Sequence, residues 1–499
     1  MTSIGLLVVA LVSGQVEGTP QGEPGAAGGQ PAAAAGPAAP AARPVSVSID
    51  EDRLYRMAGP TLGLDEALEQ ALRANPDLKV ARARLAQAET ASAQAWALYL
   101  PQVFGSGSYT YNEFEASIQL PTGYDVQDSG AVIPPTDPNA PGTPTSYFLH
   151  PQGVIEATIQ KQHQLGAMVE ASQALLVPEL WAVIRNAYRF EDSAQLTVEG
   201  ARRAILFATA QAYYGVASLR SLVEASERLL EIARRQERDA QIRLRAGTIA
   251  KVGLVRAEID RARAEQDLRR SRNAYLSAKI ALAGLLDRDD LAFEVAETPP
   301  VDVADDLKTL EERALRDRTD VQAALVAVEI ARGERNQVVA RYLPSVAAFG
   351  RYQWANAGGF TGQNDQWAAG VGVQWNLFDG GLREAQLRAA GARIAEAEAA
   401  LVGARRSAVT DVRQALLDWQ SARANAEKAK EQRDLATENQ RLVDVSYRAG
   451  AATALEQADA TTELRNAEIA LQAESLQAQI AGLRVLQAAG AFDPVGKKR

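Results

Sequence analysis

The chain of 499 residues has no cysteine, only two histidines and no long apolar run. The absence of cysteine excludes disulfides, Cys-ligated metals and a lipidated N-terminal cysteine. His150 and His163 are too few for a histidine-rich metal centre, so neither a metal nor a cofactor is predicted. A formal net charge of -9 without a basic tract disfavours nucleic acid as a partner. A membrane-spanning helix needs about 18 apolar residues in a row, and the sequence contains no such run.

The sequence is rich instead in residues that favour helix, chiefly Ala, Leu, Arg, Glu and Gln. Its 10 Phe, 13 Tyr and 6 Trp are unevenly spread. Eight of them lie between Tyr99 and Phe148, and eight more lie between Tyr342 and Phe378. The composition therefore predicts a mainly α-helical chain that is interrupted by two aromatic segments.

The first residues have the composition of a signal peptide. Ile4 to Val12 form a short apolar run followed by small residues, so residues 1–18 are predicted to be a signal peptide. No Lys or Arg precedes the run, which a misassigned start codon would explain; the alternative is a frayed terminus. Residues 19–60 are rich in Ala, Pro and Gly and are predicted to form a flexible linker.

Segments without proline predict helices of unusual length. Glu179–Arg245 and Leu382–Tyr447 each predict one continuous helix of about 100 Å. Shorter helices are predicted around them, over 64–98 with a break at Pro76, 254–286, 307–342 and 453–488. Two of the shorter helices placed end to end have about the length of one long helix. An ordinary coiled-coil scaffold would show similar helices, so the helices alone do not define a function.

The chain is internally duplicated. The Leu-Pro pairs that begin at Leu100 and Leu343 lie 243 residues apart, whereas Gly247 and Gly450, beyond the aromatic segments, lie 203 apart. The difference places about 40 additional residues in the first aromatic segment, and its stretch 121–151, rich in Pro, Gly and Thr, is predicted to be a long loop. The repeats are assigned to 61–286 and 307–490, with a link at 287–306 and a tail at 491–499.

Alternating residues predict two strands in each aromatic segment, over about 103–111 and 153–177 in the first and 346–354 and 367–378 in the second. In the last of these, apolar residues share one face and the opposite face is small or polar. The register of 153–177 stays open. Two soluble hairpins are one interpretation, although isolated hairpins are marginal in water.

Strands of this length, with one apolar face and aromatic ends, are also typical of transmembrane β-barrels. The aromatic residues predicted at the membrane interfaces are Tyr109, Tyr111, Trp354, Trp367 and Trp375. Four strands are too few to close a barrel, because the smallest have about eight. Three copies of the chain would supply 12 strands.

Several motifs are shared with a known family. They are the opening helix Leu64–Leu78 with its Asn75-Pro76 step, the helix ends Tyr99–Pro101 and Tyr342–Pro344, the segment Leu377–Gly381 before the second long helix, and the paired Arg-Ala-Gly turns. In this order, together with the duplication and the helix lengths, they show that the chain resembles the TolC-like outer-membrane efflux channels of Gram-negative bacteria. The resemblance covers about residues 61 to 490.

The resemblance implies a mainly α fold with a small β part, assembled as a homotrimer. Four strands from each chain would form a 12-stranded barrel in outer-membrane lipid, and the helices would form a hollow α-barrel in the periplasm. The link at 287–306 would lie in an equatorial belt around the helices. Such a channel has no catalytic activity. It is the passive exit duct of a tripartite efflux or type I secretion system, joined through a periplasmic adaptor to an inner-membrane transporter of the RND, ABC or MFS type.

Two turns between helices are the predicted docking tip for the adaptor. They consist of Arg245, Ala246, Gly247 and Thr248 in the first repeat, and Arg448, Ala449, Gly450 and Ala451 in the second. Glycine favours the left-handed conformation that ends many helices, so these residues also fit the simpler interpretation of helix caps. The resemblance adds that the turns form the periplasmic end of the channel.

The resemblance also predicts a periplasmic gate formed by Glu456, Asp459 and Tyr447. Glu456 and Asp459 are three residues apart on one helix face, and in a trimer they would form two acidic rings that attract cations. The alternative is a solvated helix face. Ala452 and Gly253 occupy the positions at which some relatives carry latch residues. Closure would therefore need other contacts, such as Lys251 or Arg448 with neighbouring carboxylates.

The principal rival to a channel is a periplasmic coiled-coil scaffold or adaptor with soluble hairpins. An adaptor would normally have one helical hairpin flanked by β-rich domains, whereas this chain has two long helices. An enzyme fits least well, because the sequence contains neither a Gly-rich phosphate loop nor a nucleophile elbow. The sequence does not identify the exported substrate.

Overall fold

The computed structural model describes residue 55 and residues 59–128, 132–133, 138–139, 143–144, 147–296, 299–359 and 363–492. The predicted signal peptide, most of the predicted linker and the tail beyond Phe492 lie outside the described residues.

Helices make up most of the described chain. They are α1 (Leu64–Ala74), α2 (Pro76–Ala88), α3 (Thr90–Ala97), α4 (Pro178–Arg245), α5 (Lys251–Leu285), α6 (Leu307–Asp317), α7 (Thr319–Ala340), α8 (Leu382–Arg448) and α9 (Ala454–Ala488). None of the helices within the described ranges combines the length and the apolar character that crossing a lipid bilayer requires.

The two long helices that the sequence predicts are present. Helix α4 has 68 residues and α8 has 67, so each is about 100 Å long. Helix α4 begins at Pro178, in the first turn, where a backbone N–H has no partner within the helix and proline is therefore tolerated. Arg243 and Arg245 lie in the last turn, where positive charge interacts favourably with the helix dipole. Helix α8 follows Gly381, whose φ of 86° is accessible to glycine at little cost.

The first helix of each repeat is interrupted at the equivalent position. Asn75 separates α1 from α2, and its side chain accepts hydrogen bonds from the N–H groups of Asp77 (2.9 Å) and Leu78 (3.4 Å). The prediction of one helix over 307–342 is wrong, because Arg318, 243 residues after Asn75, is extended and separates α6 from α7. The sequence carries no proline there, so the break could not be seen from composition.

A buried belt joins the start of the first repeat to the link between the repeats. Strand β1 (Thr61–Leu62) pairs in parallel with β8 (Glu294–Val295). The fully buried Tyr213 of α4 donates a hydrogen bond to the Leu62 carbonyl (2.8 Å), and its hydroxyl lies 3.1 Å from the Ala296 carbonyl. The main apolar core surrounds this belt.

The four strands of the aromatic segments form one antiparallel sheet. In spatial order they are β10 (Asp365–Gln374), β9 (Ser345–Ala355), β7 (His163–Leu176) and β2 (Gln102–Tyr111). The sheet of the single chain is open, with β10 and β2 at its edges. The predicted strands 103–111 and 346–354 agree with the structure, whereas the strand predicted over 367–378 ends earlier, at Gln374.

The additional residues of the first aromatic segment form a β-ribbon rather than the predicted long loop. Strand β3 (Ala116–Asp128) pairs in an antiparallel manner with β6 (Tyr147–Gln160), and the two-residue strands β4 (Val132–Ile133) and β5 (Thr143–Pro144) pair between them. The strand predicted over 153–177 is therefore two strands, β6 and β7. The loop was predicted from proline and glycine, although the apolar and polar residues of this segment alternate as in paired strands.

Candidate functional site

The register of the four-stranded sheet collects apolar side chains on one face. Tyr352 lies opposite both Trp367 and Val169, and Val169 lies opposite Gly105. Directly paired residues of an antiparallel sheet share a face. The apolar face so defined includes Val103, Tyr109, Tyr111, Leu165, Ala167, Val169, Ala171, Val346, Ala348, Tyr352, Trp354, Trp367, Ala369, Val371 and Val373, with His163, Gln173 and Asp365 as polar exceptions.

The other face of the sheet is mostly polar. It includes Ser106, Ser108, Thr110, Gln164, Glu170, Ser172, Arg351, Gln353 and Gln366, with Phe104, Met168 and Phe349 as its large apolar residues. On the apolar face, Val371 and Val373 are 64% and 70% exposed in the single chain. An apolar surface this extensive marks a site of contact with membrane or protein.

The predicted interface aromatics bracket the apolar face. Tyr109, Tyr111, Trp354 and Trp367 lie near the end of the sheet that is farthest from the helices, and Trp375 lies just beyond the opposite end. All five are exposed. The indole N–H of Trp375 donates to the Tyr342 carbonyl (3.1 Å), which fixes the ring at the junction of sheet and helix.

An ion pair lies on the polar face of the sheet. Glu170 and Arg351 face each other across β7 and β9, with 3.1 Å between Oε2 and Nη2. This pairing was not predicted from the sequence, because the register of the strand containing Glu170 was open. The pair gives the polar face a fixed arrangement of opposite charges.

The two predicted tip turns have the same geometry. Gly247 and Gly450 have φ values of 71° and 79°. In the first turn the N–H of Thr248 donates to the Arg243 carbonyl (2.9 Å), and in the second the N–H of Ala451 donates to the Ser446 carbonyl (2.9 Å). These six-to-one bonds define Schellman caps, so the helix-cap interpretation is correct as far as local structure goes. A Cβ added at either glycine would meet nothing within 4 Å.

Arg243 joins the two turns, a connection that sequence analysis missed. Its Nη2 donates to the carbonyls of Tyr447 (3.1 Å) and Arg448 (3.3 Å), which lie in the last turn of α8. Its guanidinium carbon also lies 4.3 Å from the centre of the Tyr447 ring. The predicted gate residue Tyr447 is thus buried against the neighbouring turn of the same chain.

Of the two cations considered for closure, Arg448 contacts carboxylates within its own chain. Its Nη2 lies 2.8 Å from Asp444, and its Nε lies 3.9 Å from Asp239. Lys251 is exposed at the start of α5. Asp444 also accepts a hydrogen bond from Gln457 (2.9 Å), which links α8 to α9 near the tip.

Glu456 and Asp459 occupy different settings on α9. Glu456 forms a capping box with Thr453: its carboxylate accepts from the Thr453 N–H (2.7 Å), and its own N–H donates to the Thr453 hydroxyl (3.2 Å). These bonds to the charged form hold the pKa of Glu456 below its usual value, the backbone N–H being the principal cause. Asp459 is exposed. Among the described residues, no group of three or more His, Asp or Glu is arranged to hold a metal.

The fold therefore combines long antiparallel helices, which turn at two similar tips, with an open amphipathic sheet. Residues 310–491 match the family model described as "Outer membrane efflux protein". None of the curated proteins is similar enough in sequence to match the chain.

Similarity to solved structures covers most of the chain. The outer membrane protein VceC of Vibrio cholerae has a TM-score of 0.65 and 22% identity, over 86% of this chain and 96% of that one. The outer-membrane channel OprN has a TM-score of 0.66 and 18% identity, over 86% and 90%. The CmeC outer membrane channel of Campylobacter jejuni has a TM-score of 0.66 and 16% identity, over 86% of each.

The resemblance inferred from the motifs is confirmed: residues 310–491 match the outer membrane efflux protein model, and most of the chain has the fold of TolC-like outer-membrane channels. The sequence match lies in the second repeat, and the shared fold covers most of the remainder. The predicted location in the outer membrane, with the helices in the periplasm, agrees with these similarities. The family consists of channel proteins rather than enzymes.

Proposed function

We propose that the chain is the homotrimeric exit channel of a tripartite efflux or type I secretion system. The observation that carries the proposal is the open four-stranded sheet with one apolar and one polar face. Such a sheet leaves the backbone groups of its two edges unpaired, which is not tolerated in lipid, so a membrane-spanning form must be closed by other copies. With the apolar face toward lipid, the polar face lines the pore.

The strand order supports closure by identical copies. Successive strands β10, β9, β7 and β2 are all antiparallel. Because each chain contributes an even number of alternating strands, β2 of one chain is antiparallel to β10 of the next. Three chains then give 12 strands, an even number as in bacterial outer-membrane barrels.

The helices supply the periplasmic part of the proposed channel. At about 100 Å, α4 and α8 are long enough to carry the two tips far from the membrane. The tips, at Gly247 and Gly450, are proposed to dock a periplasmic adaptor that connects to an inner-membrane transporter of the RND, ABC or MFS type. Glu456 and Asp459 are proposed to form acidic rings at the periplasmic mouth, with Tyr447 beside them.

The rival function, a periplasmic scaffold with soluble hairpins, requires the apolar face to be covered by something other than lipid. Membrane fractionation tests the two directly. We expect the protein in the outer-membrane fraction, as a trimer that migrates intact on an unheated gel and dissociates on heating, and we expect conductance in planar bilayers. A soluble monomer without conductance would reject the channel.

A further inference from the structure

We infer that the β3–β6 ribbon extends the proposed channel outside the membrane, and that the three ribbons of a trimer pack against one another through their apolar faces. The inference rests on the trimer of the proposed function. It assigns a role to the additional residues of the first repeat, which the channel itself does not require.

The ribbon continues directly from the sheet. The last pair of β2 and β7 is Tyr111 with His163. The N–H of Asn112 then donates to the Gln162 carbonyl (2.8 Å), and pairing resumes between Ala116 and Gln160. The ribbon therefore starts at the end of the sheet that is farthest from the helices, which in the proposed channel is the extracellular end.

One face of the ribbon is apolar. Leu120 lies opposite Ile155, and Val126 lies opposite Leu149. Ile155, Val126 and Leu149 are about 60% exposed, and Leu120 is 37% exposed, so the single chain leaves this face largely uncovered. Two strands alone are marginally stable in water, and a ribbon this long needs a packing partner.

The opposite face of the ribbon is largely polar. Gln119 lies opposite Glu156, and Asp125 lies opposite His150. Glu156 also accepts a hydrogen bond from the Ser117 hydroxyl (2.7 Å). The ribbon is thus amphipathic, with its charged groups turned away from the face that needs covering.

The partner is expected on the face of the ribbon rather than along its edges. Pro121 and Pro151 lie within β3 and β6 and cannot donate to an added strand, and register shifts flank Gly123. Prolines and bulges of this kind protect exposed strand edges from further pairing. An additional strand is therefore disfavoured, while face-to-face packing is not.

Charge favours other copies of the ribbon over a lipid surface as the partner. Between Asn112 and Gln162 the sequence has one cation, Lys161, and the acidic residues Glu113, Glu115, Asp125, Asp128, Asp137 and Glu156. Such a segment is repelled by the anionic headgroups of an outer membrane. Packing between identical ribbons through their apolar faces keeps Asp125 and Glu156 on the opposite faces, away from the contact, which limits repulsion between the copies.

The geometry of the proposed trimer brings the ribbons within reach. Equivalent strands of adjacent chains are four strands apart, about 19 Å along the sheet at a spacing of about 4.8 Å. The 13 residues of β3 give the ribbon a length of about 40 Å. A modest inward lean over that length lets three apolar faces meet above the pore.

Single cysteines test the packing, because the chain has none of its own. We compare Val126→Cys on the apolar face with Asp125→Cys on the polar face, at the same height in the ribbon. In the intact trimer, oxidation is expected to convert most of the Val126→Cys protein into covalent dimers on a non-reducing gel and to leave Asp125→Cys mainly monomeric. Intact trimers with equal cross-linking of both variants, or with none, would overturn the inference.

A second measurement distinguishes packing between ribbons from contact of the apolar face with lipid. A fluorophore attached to Val126→Cys is expected to be unaffected by quencher-labelled lipid in vesicles of outer-membrane lipid. Strong quenching would show that the face rests on lipid and would reject packing between ribbons. Failure of the unaltered protein to form a trimer would instead reject the proposed function on which the inference rests.

Discussion

Arg351 and Glu170 are paired across neighbouring strands of the sheet, 3.1 Å apart, although they are 181 residues apart in the chain and belong to different repeats. The pair lies on the polar face, which lines the pore in the proposed channel. The two charges nearly cancel where they stand. Removal of either charge would therefore change the net charge of the proposed pore, and with it the ion selectivity.

Removing either charge is expected to change selectivity in opposite directions. Arg351→Ala leaves a carboxylate from each chain unopposed in the pore, so cation preference should rise, and Glu170→Ala should lower it. The reversal potential across a planar bilayer under a salt gradient measures both effects. The matched control is the double variant, which should return close to the unaltered value. Because the pair is partly exposed, stability should change by at most about 1 kcal/mol.

The tip glycines provide a test of adaptor docking that is separate from folding. Gly247→Val and Gly450→Val force a β-branched residue into a left-handed conformation, at a local cost of about 1–2 kcal/mol or more. Nothing lies near the added Cβ, so the trimer should assemble normally on an unheated gel. Pump function in cells, measured as drug resistance, should be lost.

The matched controls for the tip are Gly247→Asn and Gly450→Asn, because asparagine tolerates the left-handed region better than other residues with a side chain. These variants should retain most of the activity. Full resistance in cells that express the valine variants would contradict docking at the tips.

Charge and capping can be separated at the proposed gate. Glu456→Gln keeps an oxygen that can accept the Thr453 N–H, so α9 should still begin at the same residue while one ring of charge is lost. Combined with Asp459→Asn, it should reduce cation selectivity in planar bilayers. Unchanged selectivity in the double variant would leave Glu456 with a capping role only.

The capping role of Glu456 has its own pH dependence. Its pKa is lowered in the folded protein, so the stability it contributes is present above the usual glutamate pKa of 4.5 and is lost as the pH falls through the lower, folded value. Hydrogen exchange at the start of α9, compared between the unaltered protein and Glu456→Gln, should differ near neutral pH and converge in acid. A constant difference would contradict this linkage.

Much of this fold could be predicted from local sequence. Helix composition predicted α4 and α8 to within a residue or two, and alternation predicted the two faces of β10. Interactions between distant segments were missed. Arg318 breaks a helix through ion pairs with Asp320 and with Asp411, 93 residues away, and neither partner is apparent from local propensity. The ribbon was missed because turn-forming residues dominate its composition, while its strands are stabilised by each other.

The belt around β1 and β8 is predicted to be a determinant of stability. Tyr213→Phe removes a fully buried hydroxyl that donates to the Leu62 carbonyl and lies near the Ala296 carbonyl, so the free energy of unfolding should fall by about 1–3 kcal/mol. The temperature at which the trimer dissociates on a gel should fall accordingly. Tyr214→Phe is the matched control, because its hydroxyl makes a longer bond of 3.4 Å to Pro299. An equal fall in both variants would show that the belt has no special role.

Arg243 is predicted to restrain the tip. It bonds to the carbonyls of Tyr447 and Arg448 and covers the Tyr447 ring, so Arg243→Ala should separate the two turns and allow the periplasmic end to open more readily. Single-channel recordings should show higher conductance or longer open times than the unaltered protein, with the trimer intact. The control is Arg245→Ala, because Arg245 bonds to the Gln241 carbonyl of its own helix (3.4 Å). If both variants conduct alike, the restraint does not reside in Arg243.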